Sequence, residues 1–208
     1  MKRLFLLIVL ACCTLALSAQ DGIRVNYKGD RPTISDFATA LFTVVADDEE
    51  DCDMDESFNA IQQAWNRHLK GLPLDEGETL TVDQKNGFIL YESRYEESLV
   101  RIEMCYWNES DQKHKLVAYN VSCFLDGKYS AGQYDGLRFY RYDNAKKEME
   151  WCDDTGFEVE YTAEGGAWVY YDLPRSGKDI TVYYCYDDGR KKPATLKWGG
   201  RRFSKVEK

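Results

Sequence analysis

The chain has 208 residues, with 27 Lys and Arg against 36 Asp and Glu, for a formal net charge of −9. That balance argues against nucleic acid or an anionic membrane as a general partner. The length suits one domain or two small ones, and it is ample for a hydrophobic core without covalent staples.

Met1 to Ala19 has the layout of a secretory signal peptide: Lys2 and Arg3, an unbroken apolar run from Leu4 to Ala11, then small residues from Thr14 to Ala19. The apolar core is shorter than the ~20 residues a spanning helix needs. The expected organisation is a signal peptide over 1–19 and a single exported α+β domain over 20–208, secreted or periplasmic. Loss of Lys2 and Arg3 leaves 25 bases against 36 acids, a net charge of −11. The alternative is a lipobox at Val9-Leu10-Ala11-Cys12, which would anchor the protein to a membrane through Cys12. Against it, Cys13 to Ala19 would form an apolar tether.

Thr33 to Ala46 reads as a helix. Pro32 with Thr33 or Ser35 supplies the start, and Ile34, Phe37, Leu41, Val44 and Val45 recur at helical spacing. Asp47 to Glu56 then carries eight acids. Asp51, Asp53 and Asp55 have the alternate spacing of an EF-hand loop, but Glu56 and Gln62 stand where the turn glycine and bidentate Glu belong. They are a calcium candidate of non-EF type, set against a solvated loop. A second helix spans Glu56 to Lys70. Asp55 is its N-cap, Phe58, Ile61, Trp65 and Leu69 its apolar stripe, and Gly71 its C′ residue.

From Leu80 the period changes to two, which predicts antiparallel strands. Gly87–Tyr95 and Ser98–Trp107 pair through a two-residue turn at Glu96-Glu97, with Ser93, Tyr91 and Ile89 facing Val100, Ile102 and Met104. His114–Phe124 joins through a turn centred on Ser110-Asp111, facing Met104, Ile102 and Val100 with Val117, Tyr119 and Val121. On the other face Glu92 then meets Arg101 and Arg101 meets Asn120, while Phe88, Cys105 and Leu116 form an apolar patch that needs a cover, expected to be a helix. Further strands fall at Leu137–Tyr142, Glu148–Trp151, Phe157–Tyr161, Trp168–Leu173, Asp179–Tyr186, Ala194–Trp198 and Phe203–Val206. The fold class is α+β: two N-terminal helices packed on a large curved antiparallel sheet, or a two-layer sheet, of about nine to eleven strands.

The exported part holds Cys52, Cys105, Cys123, Cys152 and Cys185, an odd number with no CxxC pair. Cys105 and Cys123 fall on opposite faces of the predicted sheet and are not expected to bond. His68 and His114 have no nucleophile at a recognisable spacing, GxSxG and phosphate loops are absent, and no cofactor is expected. The last twenty residues hold eight bases, read as a guarded sheet edge, with a patch for an anionic polymer as the alternative.

Fifteen Tyr and five Trp are many for this length, and they concentrate in the second half. Most suit strand packing. Trp151, Trp168, Tyr170 and Tyr184 are the candidates for stacking on a ligand. Three stretches carry a resemblance: Ala16-Leu17-Ser18-Ala19-Gln20, Gly136 to Asp143, and Leu173-Pro174-Arg175 through Trp198. On them the chain resembles small exported proteins of unknown function from Gram-negative gut bacteria. The resemblance implies location and class, and no functional residues. The function expected is a non-catalytic binding or interaction domain, with carbohydrate or peptide as ligand and an extracellular molecule or protein as partner. The alternative is a hydrolase of an extracellular polymer working through paired carboxylates such as Asp153-Asp154 or Asp187-Asp188.

Overall fold

A computed structural model describes residues 22–44, 56–131, 136–163 and 165–206. Met1–Ala19, Cys12, Cys52 and the calcium candidates Asp51, Asp53 and Asp55 lie outside the described residues.

Helix α1 (Ile34–Val44) begins where the sequence supplies a cap. The Thr33 backbone N–H and hydroxyl both donate to Asp36 Oδ2 at 2.7 Å, so an acid in the first turn closes the start. Helix α2 (Glu56–Leu69) ends in a Schellman motif. Leu72 N–H donates to Arg67 O at 2.9 Å, Gly71 N–H donates to His68 O at 3.0 Å, and Gly71 sits at φ +66°. Ile61 and Trp65 of the expected stripe are buried, whereas Leu69 is exposed. Trp65 Nε1 donates to Thr39 Oγ1 and Gln62 Nε2 to Phe42 O, tying the helices together.

Eight strands form the first sheet: β1 (Ile23–Arg24), β2 (Glu78–Asp83), β3 (Phe88–Tyr95), β4 (Ser98–Asn108), β5 (His114–Leu125), β6 (Lys128–Tyr129), β7 (Gly136–Asp143) and β8 (Glu148–Trp151). Their order is β1-β8-β7-β5-β4-β3-β2, with β6 paired to β5. Five more form a second antiparallel sheet in the order β13-β12-β11-β10-β9: β9 (Thr162–Ala163), β10 (Ala167–Asp172), β11 (Ile180–Cys185), β12 (Lys191–Trp198) and β13 (Phe203–Val206).

The α+β expectation is therefore corrected. The described chain is mostly β, with two helices against thirteen strands in two sheets, and it is not a pair of helices laid on one large sheet. The reason lies on the second face of β3, β4 and β5. Phe88, Cys105, Trp107, Leu116 and Ala118 are buried there with Val169, Tyr171, Ile180, Val182 and Leu196 of the second sheet. The cover expected to be a helix is a sheet. Side chains on the first face, among them Ile89, Tyr91, Ile102, Met104 and Tyr119, form a separate buried cluster that includes Phe37, Leu41, Ile61 and Trp65. Each large apolar side chain buried contributes about 1.5–3 kcal/mol, so a strand apolar on both faces requires two partners.

The β3–β4 register is as expected: Ile89, Tyr91 and Ser93 face Met104, Ile102 and Val100. The Glu96-Glu97 turn forms with Glu96 at φ 51°, a left-handed conformation more often taken by Gly or Asn. The β4–β5 register differs by two residues. Val100 faces Cys123, Ile102 faces Val121 and Met104 faces Tyr119, so Arg101 meets Ser122 and Glu103 meets Asn120. An even shift keeps every side chain on its expected face. Its cause is the turn: Asp111 Oδ1 accepts the N–H groups of Lys113 and His114, and Gln112 takes φ 59°, which moves the turn centre one residue on. Cys105 and Cys123 do lie on opposite faces, and no disulfide joins any of the four described cysteines. Phe157–Tyr161 is not a strand; it belongs to the connection leading to β9.

Candidate ligand cleft

An open cleft of about 800 Å³ lies where one end of the first sheet meets the second. Its walls come from β4, the β5–β6 hairpin, β10 and the β11–β12 hairpin. Local rules set each wall. Asp126 at φ 51° and Gly127 at φ 71° turn β5 back into β6, which brings Tyr129 beside Phe124. Alternation along β10 puts Trp168 and Tyr170 on one side, and pairing sets them opposite Cys185 and Tyr183. Tyr186, Asp187, Asp188 and Gly189 close the second hairpin, with Gly189 N–H donating to Tyr186 O at 2.9 Å.

A run of rings lies along the cleft, Phe124, Tyr129 and Tyr170 lining it and Tyr183 packed beside them. Tyr129 stacks on Tyr170 with centroids 4.8 Å apart, Tyr170 stacks on Tyr183 at 4.8 Å, and Phe124 meets Tyr170 edge-on at 5.4 Å. Two cations are seated on it. Arg101 lies 5.4 Å over the Phe124 ring, and Lys191 Nζ lies 3.7 Å from the Tyr183 centroid and 4.8 Å from that of Tyr170. Lys191 Nζ also donates to the Tyr170 hydroxyl. Arg101 donates twice to Glu92 Oε1, at 3.1 and 3.0 Å, and stands 3.8 Å from Asp172. Burial pushes the Asp172 carboxyl up from its ordinary value, and Arg101 opposes that shift. Trp168 is 44% exposed at the rim.

Trp168 and Tyr170, expected from sequence, thus share this cleft. Tyr184 does not: it points to the opposite side of β11 and lines a groove of about 860 Å³ with Glu158, Glu160 and Lys192. Trp151 lines a third recess of about 460 Å³ with Arg138 and Tyr161, and its indole N–H donates to Asp153. The four aromatics do not form one strip. Arg101, Phe124, Tyr129 and Lys191 were missed by sequence reasoning; Asp126-Gly127 was the readable signal for the hairpin that brings two of them together.

Two clusters of titratable groups lie elsewhere. Glu103 is 6% exposed between the sheets, where Oε2 accepts from Asn120 Nδ2 at 3.1 Å and Leu173 N–H at 3.2 Å. Burial, reinforced by the nearby Asp172 charge, pushes its carboxyl up to about 7. Glu109, Asp111 and His114 bring their ligand atoms within 4.8 Å of one another. Each already has work in the fold. Glu109 accepts from Arg141 Nε at 2.7 Å, while Asp111 caps the turn and pairs with His114 Nδ1 at 2.6 Å, which holds its carboxyl down at about 2.

No helix among the described residues is long and apolar enough to cross a membrane. Comparison with protein-family models, with curated proteins and with solved structures gives no match.

Proposed function

We propose that this protein is an exported, non-catalytic binding domain whose cleft takes a carbohydrate. One observation carries the reading: a half-exposed Trp168 stands beside buried Tyr170 at the mouth of an 800 Å³ cleft with charged donors and acceptors interleaved among its rings. A pyranose presents an apolar C–H face and a rim of hydroxyls, and an aromatic plane flanked by hydrogen-bonding groups complements both. Export rests on the Met1–Ala19 pattern.

The hydrolase alternative has less support. A general acid needs a raised pKa and reach to the substrate. Glu103 has the first but is enclosed between the sheets and does not line the cleft.

The test is a glycan array probed with the mature chain, followed by calorimetry on the best hit for wild type and Trp168→Ala. Specific glycan binding that falls at least tenfold in the variant is expected. Binding to peptides but to no glycan, or glycan binding indifferent to Trp168, would overturn the assignment. Intact mass of the exported protein checks the location: a chain starting at Ala19 or Gln20 is expected, and an acylated Cys12 would replace secretion with a lipid anchor.

A further inference from the structure

We infer that one wall of the cleft is operated by a proton: held on Glu103, it keeps β10 seated on the first sheet, and its loss moves Asp172 and with it the Trp168 and Tyr170 side of the cleft. The inference concerns the cleft itself and holds whatever ligand it takes.

Glu103 and Asn120 pin the two sheets together. They stand opposite each other on β4 and β5. Asn120 Nδ2 donates to Glu103 Oε2 at 3.1 Å and across the sheets to Tyr171 O at 2.8 Å. Leu173 N–H donates to the same Glu103 oxygen at 3.2 Å. Tyr171 lies in β10 and Leu173 directly follows it, so this strand is held at its end by one amide and one carboxyl.

The surroundings favour a neutral carboxyl. Glu103 and Asn120 are both buried. The charged and titratable groups around Glu103 are Arg101 and Cys105 on its own strand and Asp172 on β10, while β5 brings the neutral Asn120 and Ser122. One layer further out, Arg94 and Glu92 of β3, Tyr183 of β11 and Lys191 of β12 act on Arg101 or Asp172. The cations are engaged elsewhere. Arg101 donates twice to Glu92 and stands 3.8 Å from Asp172, Arg94 reaches Glu92 at 3.6 Å, and Lys191 faces Asp172. None of the three forms an ion pair with Glu103. An enclosed carboxylate beside a second acid and without its own cation is costly, and the protonated acid avoids that cost.

A second observation is independent of charge. Asn120 Oδ1 is buried and has no donor among the described residues. The same amide already donates to Glu103, so a protonated Glu103 can return its O–H to Oδ1 and close a reciprocal acid–amide pair. Ionisation removes that O–H and leaves acceptor facing acceptor. The new charge repels Asp172 and competes with it for Arg101. Asp172 closes the strand that carries Trp168 and Tyr170, so the disturbance reaches the cleft through one short piece of backbone. Burial sets the change at about pH 7: the pin is closed below it and opens as pH rises through it.

The experiment is an NMR titration of the exported chain from pH 4 to pH 9, with labelled carboxyl carbons and nitrogen. Glu103 is assigned through its own backbone. Expected is a Glu103 carboxyl with a midpoint near 7, and Asn120 side-chain amide and Trp168 indole signals that move with the same midpoint. In Glu103→Gln, which keeps a neutral donor and acceptor at this site, the Asn120 and Trp168 signals should stay flat from pH 5.5 to pH 8.5. A Glu103 midpoint near 4.5 overturns the inference, because the fold then holds no proton there. A midpoint near 7 with a flat Trp168 signal overturns the link to the cleft. A Trp168 titration that survives in Glu103→Gln assigns it to another group, such as His68 or His114, and also overturns the inference. The first two outcomes are read on the wild type alone, so they stand even where the variant folds poorly.

Discussion

Replacing Glu103 with Gln should make this protein more stable at neutral pH while leaving it almost unchanged in acid. The carboxyl ionises near 4.5 in an unfolded chain and near 7 in the fold, because burial between the sheets disfavours its charge. Below pH 4.5 both states hold the proton and pH has no effect through this group. Between 4.5 and 7 the folded state keeps the proton and the unfolded state releases it, so each rise in pH favours unfolding. Integrated over that window, the wild type loses about 3 kcal/mol. Glutamine keeps an acceptor for Asn120 Nδ2 and Leu173 N–H, and it brings a donor into a site where buried Asn120 Oδ1 has none. The assay is urea denaturation of wild type and Glu103→Gln at pH 4.5 and pH 8. The variant should gain about 3 kcal/mol on the wild type between the two, equivalent to roughly 6–12 °C in melting temperature for a domain of this size. A gap that stays constant with pH would refute the reasoning, since it would mean that the carboxylate is hydrated in the fold.

Glu96→Gly should raise stability by about 0.5–1 kcal/mol by relieving a left-handed φ of 51° in the β3–β4 turn, read from thermal melts. Gly77→Ala should destabilise strongly, because at φ +83° a Cβ would meet Arg94 O at 2.4 Å; a melting curve unchanged from wild type would contradict that geometry. Arg141→Met leaves the buried Glu109 carboxylate without its guanidinium and should cost about 3–5 kcal/mol at pH 8, measured in urea. In native alkylation at pH 8, Cys105 should stay unmodified while the protein is folded, since burial raises its thiol well above the ordinary value; mass mapping reads the result.

Much of the first sheet was legible in the sequence because a one-residue slip of β3 on β4 would expose Ile89, Tyr91, Ile102 and Met104 together. The β4–β5 pair was not fixed so tightly. A two-residue slip preserves the face, and only the Asp111 turn, through hydrogen bonds invisible to hydrophobic periodicity, selects Val100 opposite Cys123. The division into two sheets was hidden for a different reason. Period two tells which side chains share a face, but it does not tell whether a later strand extends a sheet or covers it. Phe88 and Leu116 signalled the need for a cover, and nothing local marked Val169, Tyr171 and Val182 as its source. The cleft was half visible. Trp168 and Tyr170 follow from alternation on one strand, whereas Phe124 joins them across a distance in sequence that no spacing rule spans.

The second sheet runs in strict chain order from β9 to β13, each strand pairing only with its neighbours in sequence. The turn at 187–189, which forms one lip of the cleft, therefore connects two strands already zipped to each other; within it Gly189, at φ +84°, has to stay glycine. Residues can be inserted or exchanged at that tip without re-threading any other part of the molecule. This lip is the natural grafting point for altering which ligands are admitted: a small library of loop lengths and sequences there would vary selectivity on an otherwise constant scaffold.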